Sequence, residues 1–266
     1  MRKSRIGLAI LSLIMVFALA FMQVSAAAPA PKVETITVSA AASLKDSLTE
    51  IQKQFEADNK NIQLQFNFGA SGTLSKQIQE GAPVDLFMAA DTKSVADLDA
   101  KNLVVKKSIK NLLANEIVLL VHKDYKDRIK SLNDLSKEGA RNIALGTPES
   151  VPAGAYAKES LTYYNLWPTV SGKVVYGKDV KQVMTYVESG NAMAGIVYST
   201  DAKLAKNSVV AQVIPAASHK PILYASAVIS NSKHQVAAQK ALDYMSQSKA
   251  QEIFKKYGFT IVTAEK

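Results

Sequence analysis

Apolar residues recur along the chain at two alternating periods, and the points where one period gives way to the other carry the candidate chemistry. Residues 34–39 form a β-rich run that enters Ala40-Ala41-Ala42-Ser43. Leu44, Leu48, Ile51 and Phe55 then fall at i, i+4, i+7 and i+11, one face of a helix. Ser43 stands just before the first of them and is predicted to cap that helix. Next, Ile62, Leu64, Phe66 and Phe68 alternate with polar residues, the period of a half-buried strand. Gly69-Ala70-Ser71-Gly72 ends that strand, and Leu74 and Ile78, four apart, predict a helix over 73–80. The quartet is a strand-to-helix turn. Its glycines let backbone approach a ligand, and its serine adds a hydroxyl where free N–H groups and the helix dipole receive anions. Taken alone, it reads as a tight turn with a serine cap.

The rhythm continues. Residues 84–89 predict a strand, and Asp91 caps a helix with Val95 and Leu98 inward. Residues 117–121 are a continuous apolar run, as expected of a strand covered on both faces. A helical turn at 131–135 and a strand at 142–145 follow. Another turn-to-helix start comes at 150–159, where Pro152 presets the first turn and Ala153 and Gly154 leave its N–H groups uncovered. Residues 174–176 predict a strand. Residues 177–180 open a helix with Val183, Tyr186 and Val187 on one face. Strands are predicted at 195–198, 209–214 and 222–229. One long amphipathic helix bearing Val236, Ala237, Leu242, Met245, Ile253 and Phe254 closes the chain. Alternating strands and helices predict an α/β fold of parallel units with right-handed crossovers. In such sheets ligands sit at the carboxyl ends of strands, where helices begin. Every serine or glycine turn above lies at that edge.

The N-terminus breaks the rhythm. Met-Arg-Lys-Ser-Arg5 precedes an apolar run over 6–22, and Val24-Ser25-Ala26 ends it in small residues. This is the pattern of a cleaved secretory signal peptide over 1–26, and the run is at the short limit for a membrane span. The chain contains no cysteine, so disulfides are excluded and a lipid has no N-terminal thiol to occupy. A soluble protein exported without an anchor is expected in the periplasm. The formal charge is +9. Loss of Arg2, Lys3 and Arg5 with the leader leaves 29 basic against 23 acidic residues, a net +6. The lysines are scattered, with no basic stripe interleaved with aromatics, which argues against nucleic acid as a partner.

Catalytic chemistry is poorly supplied. The three histidines, His122, His219 and His234, lack metal-ligand spacing. Thiol nucleophiles and thiolate metal sites are excluded, and neither Gly-x-Ser-x-Gly nor a phosphate-binding Gly-x-x-x-x-Gly-Lys-Ser/Thr motif is present. No enzymatic activity is expected. Tyr163-Tyr164 resembles the tyrosine pairs that chelate ferric iron in some exported binding proteins, but lies toward the end of a helix, where packing is the expected role. What remains is a set of neutral donors at helix starts: the hydroxyls of Ser43, Ser71 and Tyr198 and the N–H groups near Ala153 and Val180. Several charge-assisted hydrogen bonds from such donors offset the desolvation of a buried dianion. Lacking an acceptor, they prefer a fully ionised anion over a protonated one.

Six stretches occur in order across nearly the whole mature chain: Ala40-Ala-Ala-Ser-Leu-Lys45, Phe68-Gly-Ala-Ser-Gly-Thr-Leu74, Asp85-Leu-Phe-Met-Ala-Ala90, Val151-Pro-Ala-Gly-Ala-Tyr-Ala157, Asp179-Val180 and Gly195-Ile-Val-Tyr-Ser-Thr-Asp201. Together they resemble the periplasmic molybdate-binding proteins of molybdate ABC transporters. The resemblance implies a two-lobed, class II periplasmic binding protein, each lobe a mainly parallel sheet flanked by helices, with a ligand cleft between them. It implies lobe I over 33–113 and 223–266, lobe II over 114–222, and hinges near Ala114 and Lys220. It places oxyanion contacts at Ser43, Ser71, Ala153, Val180 and Tyr198, the metal of the ion being met through its oxygens. It implies molybdate or tungstate as ligand, no cofactor, an inner-membrane permease as partner and a monomer. The alternative is another solute: sulfate, phosphate or ferric iron.

Overall fold

The computed structural model describes residues 33–262. The signal peptide expected at 1–26 and the last residues of lobe I lie outside them.

The expected alternation is present. β1 (Glu34–Ala41) runs through a 3-10 turn (Ala42–Leu44) into α1 (Lys45–Asp58). β2 (Ile62–Gly69) leads to α2 (Ser71–Gln79), and β3 (Leu86–Met88) to α3 (Lys93–Asp99). β4 (Lys110–Ala114) and β5 (Ile117–His122) follow almost continuously. β6 (Ile143–Gly146) precedes α4 (Pro152–Tyr163) and the short α5 (Trp167–Val170). β7 (Val174–Gly177) precedes α6 (Val180–Glu188), and β8 (Ala194–Tyr198) the single turn α7 (Ser199–Ala202). β9 (Ser208–Val213), β10 (Leu223–Val228), α8 (Gln235–Met245), α9 (Ser248–Tyr257) and β11 (Thr260–Ile261) complete the order.

The strands form two sheets, β11-β4-β10-β3-β1-β2 and β7-β6-β8-β5-β9. The expectation of mainly parallel sheets is corrected. β1 pairs parallel with β2 and β3, and β6 with β7 and β8. β10 pairs antiparallel with β3 and β4, β11 with β4, and β5 with β8 and β9. Each sheet is therefore mixed. The antiparallel strands flank the two places where the chain passes between sheets, residues 115–116 and 214–222. A strand that arrives from the other sheet enters against the direction of the βαβ strands. The unbroken apolar run of β5 fits a buried strand of either direction, so the pattern did not reveal this.

Burial follows the predicted faces. Leu44, Leu48, Ile51 and Phe55 are fully buried, as are Ile36, Val38 and Leu86 beneath them. Three local readings change. The expected long C-terminal helix is two helices broken at Ser246-Gln247, where Gln247 turns to extended backbone, and Val236 is exposed rather than inward. Ser43 does not cap α1: it sits inside the 3-10 turn, and the cap position is Leu44. Ser71 is the first residue of α2 and does not cap it either; the cap position is Ala70, with no side-chain cap bond.

One glycine fixes a close approach within the second sheet layer. A Cβ on Gly154, in the first turn of α4, would stand 2.0 Å from the carbonyl oxygen of Gly146 at the end of β6. The start of α4 therefore seats directly on the strand end, which places Ala153 at the carboxyl edge of the sheet.

Candidate functional site

The carboxyl ends of β1, β2, β3 and β8 and the N-termini of α4 and α6 converge on one small cavity. Its lining includes Ser43, Ser71, Ala153, Val180 and Tyr198, so the structure brings all five sequence-predicted residues together. Room for the centre of a water-sized body inside it is about 10 Å³, so the cavity is small. Larger grooves, such as the one of about 750 Å³ beside Tyr163 and His219, lie outside it.

Each donor is set by its element. Ala153 is the second residue of α4 and Val180 the first of α6, positions whose N–H groups have no partner within a helix. The Asp179 carboxylate caps α6 by accepting the Gln182 N–H at 2.9 Å, which leaves that of Val180 uncommitted to the cap. Pro152 has no N–H, so the donors of α4 begin at Ala153.

The serine hydroxyls are oriented by what they accept. Ser71, fully buried, accepts the Ala90 N–H at 2.9 Å. Its own proton remains for another acceptor. Ser43 Oγ lies 2.9 Å from the Tyr224 hydroxyl. That hydroxyl also accepts from the Asn115 side-chain amide at 3.2 Å; when it donates its own proton to Ser43, the proton of Ser43 is free for another acceptor. Asn115 is itself held where the chain crosses between sheets: its amide donates to Thr200 Oγ1 at 2.9 Å, and its carbonyl accepts from Glu116 N–H at 2.9 Å and Ser199 Oγ at 3.1 Å.

Tyr198 differs from the other donors. It is 1 % exposed, and its hydroxyl has no hydrogen-bond partner among the described residues. A buried hydroxyl without a partner costs about 1–3 kcal/mol, so native structures rarely keep one without a use. Burial raises its pKa well above the usual phenol value, with Tyr224, Tyr156, Asp91 and Asp201 adding to the rise. The group is therefore a neutral O–H donor throughout the physiological range. Burial likewise raises Tyr224. The lining includes no cation; its one charged residue is Asp179, whose carboxylate is engaged as the cap of α6.

Charge stands one step behind the wall. Asp201 on α7 is fully buried and is pushed up to about 6 by burial, against the pull of Lys181. The Lys181 ammonium lies 2.8 Å from Asp201 Oδ1, off the hydrogen-bonding direction, and 2.6 Å from Asp46 Oδ2. Burial opposes the charge of Lys181, but the two aspartates outweigh it and raise its pKa.

Other singled-out residues lie elsewhere. Tyr163 and Tyr164 meet edge to face with centroids 5.0 Å apart on the exposed end of α4, Tyr163 being 60 % exposed. His122 accepts the Asp124 N–H and so caps the turn that follows β5, and His234 pairs with Glu34 at 2.6 Å. Among the described residues, no cluster of three or more His, Asp or Glu is arranged to hold a metal ion. Sequence reasoning missed Tyr224, Ala90 and Asn115, which orient the serines. Tyr224 sits in an apolar strand run, where nothing local marks it apart from a core aromatic.

Known proteins resemble this chain along most of its length. The Bacillus subtilis protein YvgL, named as an ABC-transporter substrate-binding lipoprotein, is 46 % identical over 221 residues, 83 % of this chain and 84 % of its own. The Escherichia coli molybdate-binding protein ModA is 39 % identical over 228 residues, 84 % of this chain and 87 % of its own. The solved periplasmic molybdate-binding protein of Azotobacter vinelandii shares the fold with a TM-score of 0.77 at 24 % identity, covering 86 % of this chain and all of that one. The model of the bacterial extracellular solute-binding proteins matches residues 36–260, and the chain belongs to that family.

Proposed function

We propose that this protein captures molybdate, or the nearly isosteric tungstate, and delivers it to the permease of an ABC transporter. The observation that carries the reading is the buried hydroxyl of Tyr198, unpartnered among the described residues, on the wall of a cavity that it shares with Ser43, Ser71 and the helix starts at Ala153 and Val180. Ser43, Ser71 and Tyr198 donate hydroxyl protons to the oxygens of the ion, and the N–H groups of Ala153 and Val180 complete its shell. A dianion held by dipoles that do not titrate near neutral pH is discriminated by its size and by being fully ionised. Phosphate, which carries a proton near neutral pH, would need an acceptor that this donor set lacks. The 39 % identity to a molybdate-binding relative supports the choice of ion. The reading is of a monomeric carrier: the ion is bound and released, and no bond is made or broken.

The two sheets are read as two lobes, 33–113 with 223–266 and 114–222, that close on the ion about hinges near Ala114 and Lys220. Ser43 and Ser71 stand in the first, and Ala153, Val180 and Tyr198 in the second. Capture takes place in the periplasm, without a lipid anchor. Fractionation is expected to find the mature protein in the soluble periplasmic fraction; retention with membranes until detergent is added would remove that part of the proposal.

Calorimetric titration of the mature protein with molybdate is expected to show one site with Kd tighter than ~1 μM, beyond roughly −8 kcal/mol. Sulfate in large excess is expected not to displace it. The absence of heat with molybdate, or equal competition by sulfate, would refute the assignment.

A further inference from the structure

Lys181 has a place in binding that its absence from the cavity wall conceals. It follows Val180 at the start of α6 in the second sheet's half of the molecule. Its ammonium touches two carboxylates from opposite halves: Asp201 of α7 at 2.8 Å and Asp46 of α1 at 2.6 Å. Asp46 lies three positions after Ser43, just as Lys181 lies one after Val180. The Asp46–Lys181 contact thus joins α6, which begins with the donor Val180, to the first turn of α1, just after the turn that carries Ser43.

The two carboxylates are not equivalent. Asp201 is fully buried, and its oxygens receive no well-directed hydrogen bond among the described residues. A buried charge of this kind needs a compensating partner, and Lys181 is the one in contact. Asp201 therefore pins the lysine within its own half whether or not the halves meet. Asp46, with its side chain 39 % exposed, keeps access to water and does not depend on the lysine. The Asp46–Lys181 pair is the contact that forms when the halves meet and breaks when they part.

We propose that Lys181, held ready by Asp201, clasps Asp46 across the two halves and sets how long the anion is retained. The inference rests on the reading of the cavity as an oxyanion site. Because the pair stands behind the wall, it contributes to the stability of the closed arrangement and leaves the choice of ion to the donors.

The test uses Asp46→Asn, which keeps shape and leaves Lys181 with Asp201. Stopped-flow dissociation and calorimetry with molybdate are expected to show a Kd raised about 3- to 10-fold, carried by the dissociation rate. High salt is expected to weaken the unmodified protein toward the variant, since the pair is partly exposed. A second measurement needs no ligand. The Gly72 N–H donates to Ser150 O across the same two halves at 3.0 Å. Its hydrogen-exchange protection is expected to fall in Asp46→Asn while the thermal midpoint stays unchanged. If the unmodified protein binds molybdate and Asp46→Asn binds with the same Kd and dissociation rate, the clasp is overturned. If the unmodified protein does not bind molybdate, the choice of ion fails instead. The Gly72 amide then decides the clasp: reduced protection in Asp46→Asn upholds it, and unchanged protection overturns it.

Discussion

Tyr198→Phe is expected to weaken molybdate binding about 10- to 150-fold without lowering the stability of the ligand-free protein. The first figure is the loss of one hydrogen bond to a charged group, about 1.5–3 kcal/mol. The second follows from the unpartnered hydroxyl: its removal breaks no hydrogen bond among the described residues. The ring remains, with its packing against Tyr224 at a centroid distance of 5.8 Å. Calorimetry and a thermal melt check the two halves of the expectation. A lowered melting point with unchanged affinity would make Tyr198 a packing residue and remove the main support for the cavity as a binding site. Ser71→Ala is a less clean probe, because it also orphans the buried Ala90 N–H and so costs stability as well as affinity.

Gly72→Val is expected to weaken binding about 30- to 150-fold, a loss of roughly 2–3 kcal/mol from forced overpacking. A Cβ at Gly72 would stand 2.8 Å from the carbonyl oxygen of Ser150 and 3.0 Å from its Cα. Both are backbone atoms of the opposite half and cannot turn aside as a side chain does. The valine therefore holds the halves apart and removes the Gly72–Ser150 hydrogen bond, while the first-half and second-half donors stay intact within their own elements. Gly72→Ala is expected to fall between the parent and the valine variant, even though alanine favours the helix more than glycine does. Titration of the three proteins checks the order. Equal affinities across the series would show that the approach of Gly72 to Ser150 is not needed for binding.

These expectations rest on contacts of very different visibility. The strand-to-helix edges were legible because local period and turn chemistry mark them. Ser43, Ser71, Ala153, Val180 and Tyr198 each sit where an apolar period changes. Their roles were less legible. Ser43 and Ser71 read as helix caps because a serine before an apolar stretch has that preference. The structure gives both hydroxyl oxygens tertiary partners instead, Tyr224 and the Ala90 N–H. Strand direction in β5 and β10 was invisible for the reason that a fully buried strand looks alike in either direction. The break at Ser246-Gln247 was hidden because the apolar positions on either side continue a single helical period.

By itself, the sequence determined the alternation of strands and helices, the buried faces, and the neutral donors at the edge where ligands bind. All of these follow from interactions among residues a few positions apart. Tertiary structure alone decided which partners the donor hydroxyls meet and what joins the two halves. Ser43 meets Tyr224 across 181 positions, and Lys181 meets Asp46 across 135. Such pairs leave no periodic signature, because their partners are chosen by how the two sheets come together. The orphaned hydroxyl of Tyr198 belongs to the same class: its lack of a partner is a property of the assembled cavity, and no stretch of sequence contains it.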